Sequence, residues 1–214
     1  MRRVWFAVWL MAMSLVLGTC FLQSISFAEA TSSLPVQVVT VLSNRDYFPV
    51  VHRAFQEADS TIKVMMYVAR YYTEKPRHAP ENLEHEPGAH WSNTNVLLDD
   101  LVAASKRGVD VLVILDGSSW NEGNTELNED FGKLLVESGV KVYMDDPEVT
   151  THAKLILVDD DLTVVGSTNW SWYALDQNNE TSVLIQSAEV NQVYRGFFSE
   201  VLANSTSLSI AEED

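Results

Sequence analysis

Cysteine is almost absent from the 214-residue sequence, where Cys20 is the only example. Cys20 lies in an N-terminal segment that we expect to be removed, so the remaining chain would contain no thiol. Disulfide bonds therefore cannot stabilise the folded domain, although export from the cytoplasm would permit them. An exported protein without cysteine is more typical of a bacterial or archaeal envelope than of a eukaryotic secretory route.

Basic residues are also scarce, with 14 Lys and Arg against 30 Asp and Glu and a net charge of −16. After residue 30 there is no basic run. Proteins that bind duplex DNA without sequence preference usually present a basic face that releases counterions. The charge balance therefore disfavours a nucleic-acid substrate without excluding it, because a single lysine in a cleft can still create a local positive field.

The first 30 residues have the organisation of a signal peptide. Arg2 and Arg3 precede an apolar run over residues 4–17, and Ala28-Glu29-Ala30 supplies small residues at the two positions that a signal peptidase reads. We expect export to the periplasm or the outside. Two alternatives remain open: residues 4–27 could be retained as a membrane anchor, or Cys20 could be lipidated.

The remaining chain predicts one α/β domain over residues 31–204, followed by an acidic flexible tail over residues 205–214. The segments KRGVDV and ESGVKV repeat one pattern, in which a helix ends at a glycine and a strand follows. Repeated helix–strand units favour a mostly parallel or mixed sheet with helices on both faces.

A polar loop over residues 73–91 contains His78, His85 and His90 among several glutamates. This composition raises the question of a metal site, but the spacing matches no helical or hairpin ligand pattern. We expect no metal and no cofactor, and we expect the loop to shape the substrate entrance.

The strongest chemical signal lies at residues 151–180. His152 and Lys154 stand at the start of the predicted strand HAKLILVD, and the period of two places them on one face. An imidazole and an ammonium that point at one small volume suit a phosphodiester, since the imidazole can attack phosphorus and the ammonium can hold the non-bridging oxygens.

Four further residues belong to this predicted site. Gly166 ends a second short strand, and Ser167 and Asn169 follow it in a turn that can direct a hydroxyl and an amide at phosphate oxygens. Glu180, in the triplet N-N-E, is the carboxylate expected to fix the tautomer of the histidine. Asp159 belongs to the motif and is therefore included among the candidate catalytic residues. Because it lies at the far end of the strand, we expect it to act as structural support.

These residues resemble the signature of the phospholipase D superfamily, H-x-K-x4-D-x6-G-S-x-N, and residues 62–116 look like the first half of that fold. The resemblance implies a phospholipase D-like domain and a phosphohistidine formed on His152, with Lys154, Ser167 and Asn169 binding the phosphate in place of a metal ion.

A second copy of the motif is missing, because none of the other four histidines has a lysine two residues later. One histidine cannot both attack phosphorus and donate a proton to the leaving oxygen on the opposite side. We therefore expect a two-fold homodimer in which two copies of His152 share one active site.

The function that the sequence favours is that of an exported, metal-independent phosphodiesterase of phospholipase D type, with a phospholipid head group as the substrate. The first alternative is a non-specific endonuclease of the same superfamily. The second is a non-catalytic binding protein built on this fold.

Overall fold

The computed structural model describes residues 33–77, 79 and 90–210, and its compact unit begins at Leu34. The helices are α1 Tyr47–Glu57, α2 Asn93–Lys106, α3 Glu122–Glu137, α4 Trp172–Asp176 and α5 Ala188–Leu202. The strands are β1 Val38–Ser43, β2 Thr61–Met66, β3 Asp110–Leu115, β4 Lys141–Met144, β5 Lys154–Val158, β6 Leu162–Gly166, β7 Thr181–Gln186 and β8 Thr206–Ser207.

The eight strands form one mixed sheet in the order β1-β7-β6-β5-β2-β3-β4-β8. Strands β2, β3 and β4 run parallel, whereas every other neighbouring pair is antiparallel. The three residues that join β5 to β6 allow only a hairpin, because a parallel crossover needs a dozen or so residues. The expected α/β class with a mixed sheet is confirmed, and the parallel arrangement is confined to β2, β3 and β4.

Glycines end the two helices that precede the parallel strands. Gly108 has a φ of +95° and Gly139 a φ of +82°. A left-handed conformation of this kind costs glycine nothing, and it allows the chain to leave the helix and enter the sheet. The repeated helix–glycine–strand pattern of the sequence therefore corresponds to α2 with β3 and to α3 with β4.

The two faces of the sheet carry separate hydrophobic cores. Val64 and Met66 of β2 face a large core formed with helices α1 to α4, in which Trp170 is fully buried. Met65, between them, faces a smaller core under α5, centred on Phe198. The alternation within β2 places helices on both faces, as the sequence predicted.

The structured chain continues beyond residue 204. Strand β8 pairs with β4, and the backbone N–H of Leu208 donates to the carbonyl of Val142 at 2.9 Å. Leu208 fits over Gly132 of α3, where a Cβ atom would meet the leucine side chain at 2.6 Å. The prediction of a flexible tail from residue 205 is therefore wrong for residues 206–208, because an apolar anchor and a short edge strand hold them.

Several predictions fall on residues outside the described part of the chain. These are the leader, Cys20, and the loop histidines His78 and His85. His90 is described, and its Nε2 lies 2.7 Å from a carboxylate oxygen of Asp99. Within residues 33–77, 79 and 90–210 there is no group of three or more potential metal ligands. No helix in those ranges is long and apolar enough to span a membrane.

Candidate active site at one edge of the sheet

The candidate site lies at the edge where β2, β3 and β4 end. Strand β5 runs antiparallel to β2, so its first residue, Lys154, is paired with the last residue of β2, Met66. Leu155 pairs with Val165, and therefore the next residues outward, Lys154 and Gly166, emerge at the same edge. Ligands in open α/β sheets bind at the carboxyl ends of the parallel strands. The sheet thus brings the predicted histidine, lysine and G-S-x-N turn to the edge that usually binds ligands.

His152 and Lys154 are in direct contact. The Lys154 Nζ lies 3.2 Å from the His152 Nδ1, and it donates to the His152 carbonyl oxygen at 2.7 Å. The imidazole is exposed, and its ring centroid is 4.4 Å from that of Tyr67. Among the described residues, no hydrogen bond uses the His152 Nε2, so this nitrogen is left for a substrate.

Lys154 is buried beneath the histidine, with 6% of its surface exposed. Its ammonium lies 4.7 Å from the centre of the Tyr67 ring. Burial lowers the pKa of Lys154 from 10.5 to about 8, and the negative charges of Glu180 and Asp116 offset part of this effect. The lysine is therefore a cation at neutral pH, held where an anionic ligand would relieve its desolvation.

The G-S-x-N turn is fixed from both sides. The Ser167 N–H donates to the Thr181 carbonyl at 3.0 Å, and the Trp170 N–H donates to the Val68 carbonyl at 2.9 Å. Between them, the Oδ1 of Asn169 is buried with no hydrogen-bond partner among the described residues. An unpaired buried polar atom costs about 1–3 kcal/mol, and in a native site it commonly indicates a ligand or water that completes it.

Gly166 permits this turn because β7 passes very close to it. A Cβ atom at Gly166 would lie 2.4 Å from the Ser182 Cα. We expect Gly166→Ala to lower the free energy of unfolding by about 2 kcal/mol, since overpacked sites relieve such a clash by moving the backbone. Chemical denaturation measures this change. The control is Gly123→Ala in α3, where nothing lies within 4 Å; equal effects of the two substitutions would contradict this explanation.

Glu180 is near this site but does not orient His152 within one chain. Its carboxylate accepts hydrogen bonds from the Ser167 hydroxyl and from the Asn178 amide, the latter at 3.0 Å. None of its hydrogen bonds among the described residues reaches His152. The expected histidine–carboxylate pair is thus not formed in the single chain, where the serine and the asparagine each bind one carboxylate oxygen.

Asp159 lies at the opposite end of β5 from the site. Its φ is +46°, and its carboxylate accepts hydrogen bonds from the backbone N–H groups of Asp59, Ser60 and Thr61 at 2.7–3.1 Å. Burial alone would raise the pKa of Asp159, but these bonds together outweigh it and lower the pKa. They also connect the β5–β6 turn to the start of β2. We therefore take Asp159 out of the catalytic group, and its role as structural support remains.

The sequence analysis missed the residues that hold the backbone next to His152. The N–H of Thr151 donates to the carboxylate of Asp116 at 2.8 Å, and its hydroxyl donates to the carboxylate of Asp145. Both aspartates are buried and directly follow β3 and β4. The available signal was an aspartate immediately after each parallel strand, in VILD and VYMD.

Thr151→Val tests the hydrogen bonds that anchor Thr151 to Asp116 and Asp145. The substitution leaves the buried carboxylate of Asp145 without its hydroxyl donor, so we expect the free energy of unfolding to fall by about 1–3 kcal/mol. We also expect the activity to fall, because the backbone of His152 loses one of its two anchors. The control is Thr163→Val, since the Thr163 hydroxyl is buried without a partner among the described residues. A Thr151→Val protein as stable and active as that control would contradict the proposed role of these hydrogen bonds.

A histidine, a buried lysine and the asparagine of the G-S-x-N turn at one edge of an α/β sheet provide a nucleophile and donors of the kind that reactions at phosphate esters use. The family described as "Cardiolipin synthase, PLD-like domain" matches residues 51–202. The chain therefore belongs to the phospholipase D superfamily, as the motif resemblance predicted, and the family supports an enzyme of phosphodiesterase type.

Individual relatives agree with this assignment. A phospholipase D from Rickettsia typhi is 28% identical over 118 residues, which are 55% of each protein. The chain spans about half the length of the curated relatives that it matches first. Nuc, a phospholipase D family member from Salmonella typhimurium, has a similar fold, with a TM-score of 0.63 and 22% identity over 79% of this chain and 97% of Nuc. NucT from Helicobacter pylori gives a TM-score of 0.58 at 15% identity over 79% of this chain and 98% of NucT.

Proposed function

We propose that the protein is an exported phosphodiesterase that hydrolyses its substrate through a phosphohistidine on His152 and without a metal ion. The observation that carries this proposal is the contact between the exposed imidazole of His152 and the buried ammonium of Lys154, at the sheet edge where the G-S-x-N turn also emerges. The imidazole supplies a nucleophile, and the ammonium of Lys154 and the side-chain NH2 group of Asn169 supply hydrogen-bond donors for phosphoryl oxygens.

The reaction proceeds in two displacements. The Nε2 of a neutral His152 attacks phosphorus, the bond to the leaving oxygen breaks, and a protonated His152 from a second copy gives its proton to the departing alcohol. That second histidine, now neutral, takes a proton from water as the water attacks phosphorus and releases the first histidine. The products are an alcohol and a phosphomonoester, and Lys154 and Asn169 hold the phosphoryl oxygens in both steps.

A homodimer would also provide a hydrogen-bond acceptor for the His152 tautomer that the attack on phosphorus requires. An ammonium only donates, so the contact with Lys154 makes Nδ1 an acceptor and leaves the proton on Nε2. Attack through Nε2 requires the other tautomer, whose Nδ1–H needs an acceptor. Glu180 makes no hydrogen bond to His152 of its own chain, and in each copy its carboxylate keeps acceptor capacity beyond its bonds to Ser167 and Asn178. Glu180 of a second copy would supply the acceptor. Sedimentation at assay concentrations tests this arrangement, which a fully active monomer would contradict.

We propose that the substrate is a phospholipid and that hydrolysis releases its head group. The acidic balance of the chain, −16 overall, opposes a polyanion and does not oppose a zwitterionic lipid. Export would place the enzyme where envelope lipids are available.

An assay of the protein without the leader tests substrate and metal dependence together. Phosphatidylcholine vesicles and single-stranded DNA are offered side by side, with and without a chelator. We expect release of the head group at a rate that the chelator does not change, because the Lys154 ammonium offsets the phosphoryl charge and the Asn169 NH2 group donates to the phosphoryl oxygens. Cleavage of DNA alone would establish the endonuclease alternative, and loss of the activity with the chelator would contradict the metal-free mechanism.

A further inference from the structure

Tyr67 directly follows β2 and contacts both members of the histidine–lysine pair. Its ring centroid lies 4.4 Å from that of the His152 imidazole, and the two ring planes are inclined by 46°. The same ring centre lies 4.7 Å from the Lys154 Nζ. The ring is half-buried, whereas the imidazole is exposed. An aromatic ring that touches both groups restricts the positions that the imidazole and the ammonium can take.

Helix α3 fixes the hydroxyl end of this ring. Asn121 stands immediately before α3, at the position where an asparagine side chain commonly caps a helix. Within the described residues Asn121 makes no capping hydrogen bond, and its amide donates instead to the Tyr67 hydroxyl at 3.2 Å. The helix therefore lacks a local stabilising bond where the contact with Tyr67 is made, and such departures from local rules are typical of functional sites.

Asn128, two turns further along α3, fixes the backbone of the same segment. Its side chain is fully buried, and its Nδ2 donates to the carbonyls of Tyr67 and Asp116, both at 2.9 Å. Its Oδ1 accepts the Ala69 N–H at 2.8 Å. Asp116 in turn accepts the N–H of the residue before the candidate nucleophile. One asparagine thus connects the backbone of Tyr67 to the segment that carries the histidine.

We propose that Tyr67 is a positioning residue of the active site, whose ring holds the His152 imidazole and the Lys154 ammonium in their reactive arrangement. The inference rests on the proposed function, and Tyr67 acts through these two neighbours. The ring also affects the charge of the lysine. Burial lowers the pKa of Lys154, and Glu180 and Asp116 offset part of this effect. The negative face of an aromatic ring favours a nearby cation, so it acts in the same direction as the two carboxylates.

Tyr67→Leu tests this inference, because leucine keeps an apolar cover over the lysine but removes the aromatic face. With bis(p-nitrophenyl) phosphate as the substrate, we expect kcat and kcat/KM to fall together by about ten- to a hundredfold, since a small displacement of a nucleophile has effects of this size. The alkaline decline of kcat/KM, expected near the Lys154 pKa of about 8, should move to lower pH by about half a unit or more. A purely structural role would not move this decline.

Phe48→Leu is the matched control. Phe48 is also half-buried, and its ring stacks on that of His52 in α1 with 5.4 Å between the centroids. Neither residue belongs to the candidate site. This variant should keep kcat within about twofold of the wild-type value, with an unchanged pH profile. A wild-type kcat in Tyr67→Leu, or a loss of kcat there without a shift of the alkaline decline, would overturn the inference.

A double-mutant cycle tests the link between α3 and the ring while an aromatic ring is retained. Tyr67→Phe and Asn121→Ala each remove the same hydrogen bond, so each should lower kcat by about two- to fivefold. The double variant should be no slower than the slower single variant. Effects that multiply would overturn the inference.

The same assays separate this inference from the proposed function. If the wild-type protein does not hydrolyse bis(p-nitrophenyl) phosphate, or if His152→Ala hydrolyses it equally well, the proposed function fails and the inference fails with it. Hydrolysis that depends on His152 but not on Tyr67 would overturn the inference alone.

Discussion

Replacing His152 with alanine is expected to reduce kcat for phosphodiester hydrolysis by at least about 10³-fold. The imidazole forms the bond to phosphorus, and its counterpart in the second copy protonates the leaving alcohol, so the substitution removes both groups at once. The residual rate would come from substrate binding by Lys154 and Asn169. Because His152 is exposed and its side-chain contacts with Tyr67 and Lys154 lie at the edge of the sheet, the free energy of unfolding should change little.

The control for this prediction is His90→Ala. The Nε2 of His90 lies 2.7 Å from a carboxylate oxygen of Asp99, and His90 lies on the polar loop before α2. Its loss should leave kcat within about twofold of the wild-type value, as is usual for surface substitutions. A His152→Ala protein that hydrolyses the diester at the wild-type rate would show that the nucleophile lies elsewhere. If its biological effect also survived, the non-catalytic alternative would be favoured.

Lys154→Met is the substitution with the second largest expected effect. Methionine retains much of the side-chain volume but removes the cation that holds the phosphoryl oxygens, so kcat/KM is expected to fall by about 10²–10³-fold, the usual effect of losing one preorganised electrostatic donor. Stability should not fall in parallel, because the folded protein no longer buries a charge. The combined measurement of kcat/KM and of the unfolding free energy separates a catalytic role from a structural one.

The pH dependence supplies a second signature of Lys154. Its pKa in the folded protein is about 8, against 10.5 in water, so wild-type kcat/KM should fall as the pH rises through about 8. The same depression means that the unfolded protein binds a proton between pH 8 and 10.5 that the folded protein does not. Wild-type stability should therefore rise with pH across that window relative to Lys154→Met, and below pH 8 the difference should be constant.

Lys63→Met is the matched control for both measurements. Lys63 also lies on a central strand, its pKa is also lowered by burial, and its ammonium stands 5.4 Å from the Phe198 ring. It faces the core under α5, not the candidate site. Activity should be retained in this variant, together with the decline above pH 8. An equal loss of activity in the two lysine variants would mean that the effect comes from strand packing.

The helix–glycine–strand units and the motif residues could be predicted because each depends on neighbours within one short segment. Gly108 and Gly139 end helices by a local conformation, and His152 and Lys154 meet because they stand two positions apart, with Lys154 the first residue of β5. The three aspartates between β5 and β6 likewise correspond to a local turn. Period and spacing are enough for features of this kind.

The rest of the site depends on contacts between distant segments. The anchors of Thr151 are 35 residues away at Asp116 and six residues away at Asp145, and only the parallel pairing of β3 with β4 brings those aspartates together. Asp159 belongs to the motif, yet its φ of +46° and its bonds to Ser60 and Thr61 become visible only when β2 is paired with β5. The bonds of Glu180 to Ser167 and Asn178 could not be inferred from spacing either, because several donors compete for one carboxylate.

Trapping the covalent intermediate tests the central claim most directly. The protein is mixed with a diester substrate and quenched in alkali, in which phosphohistidine survives, and the peptide that contains His152 is then examined by mass spectrometry. The account predicts a phosphoryl adduct on His152 that appears during turnover, disappears when substrate is exhausted, and is absent from His152→Ala. Rapid hydrolysis without an adduct at His152, together with a phosphoryl group on another residue, would contradict it.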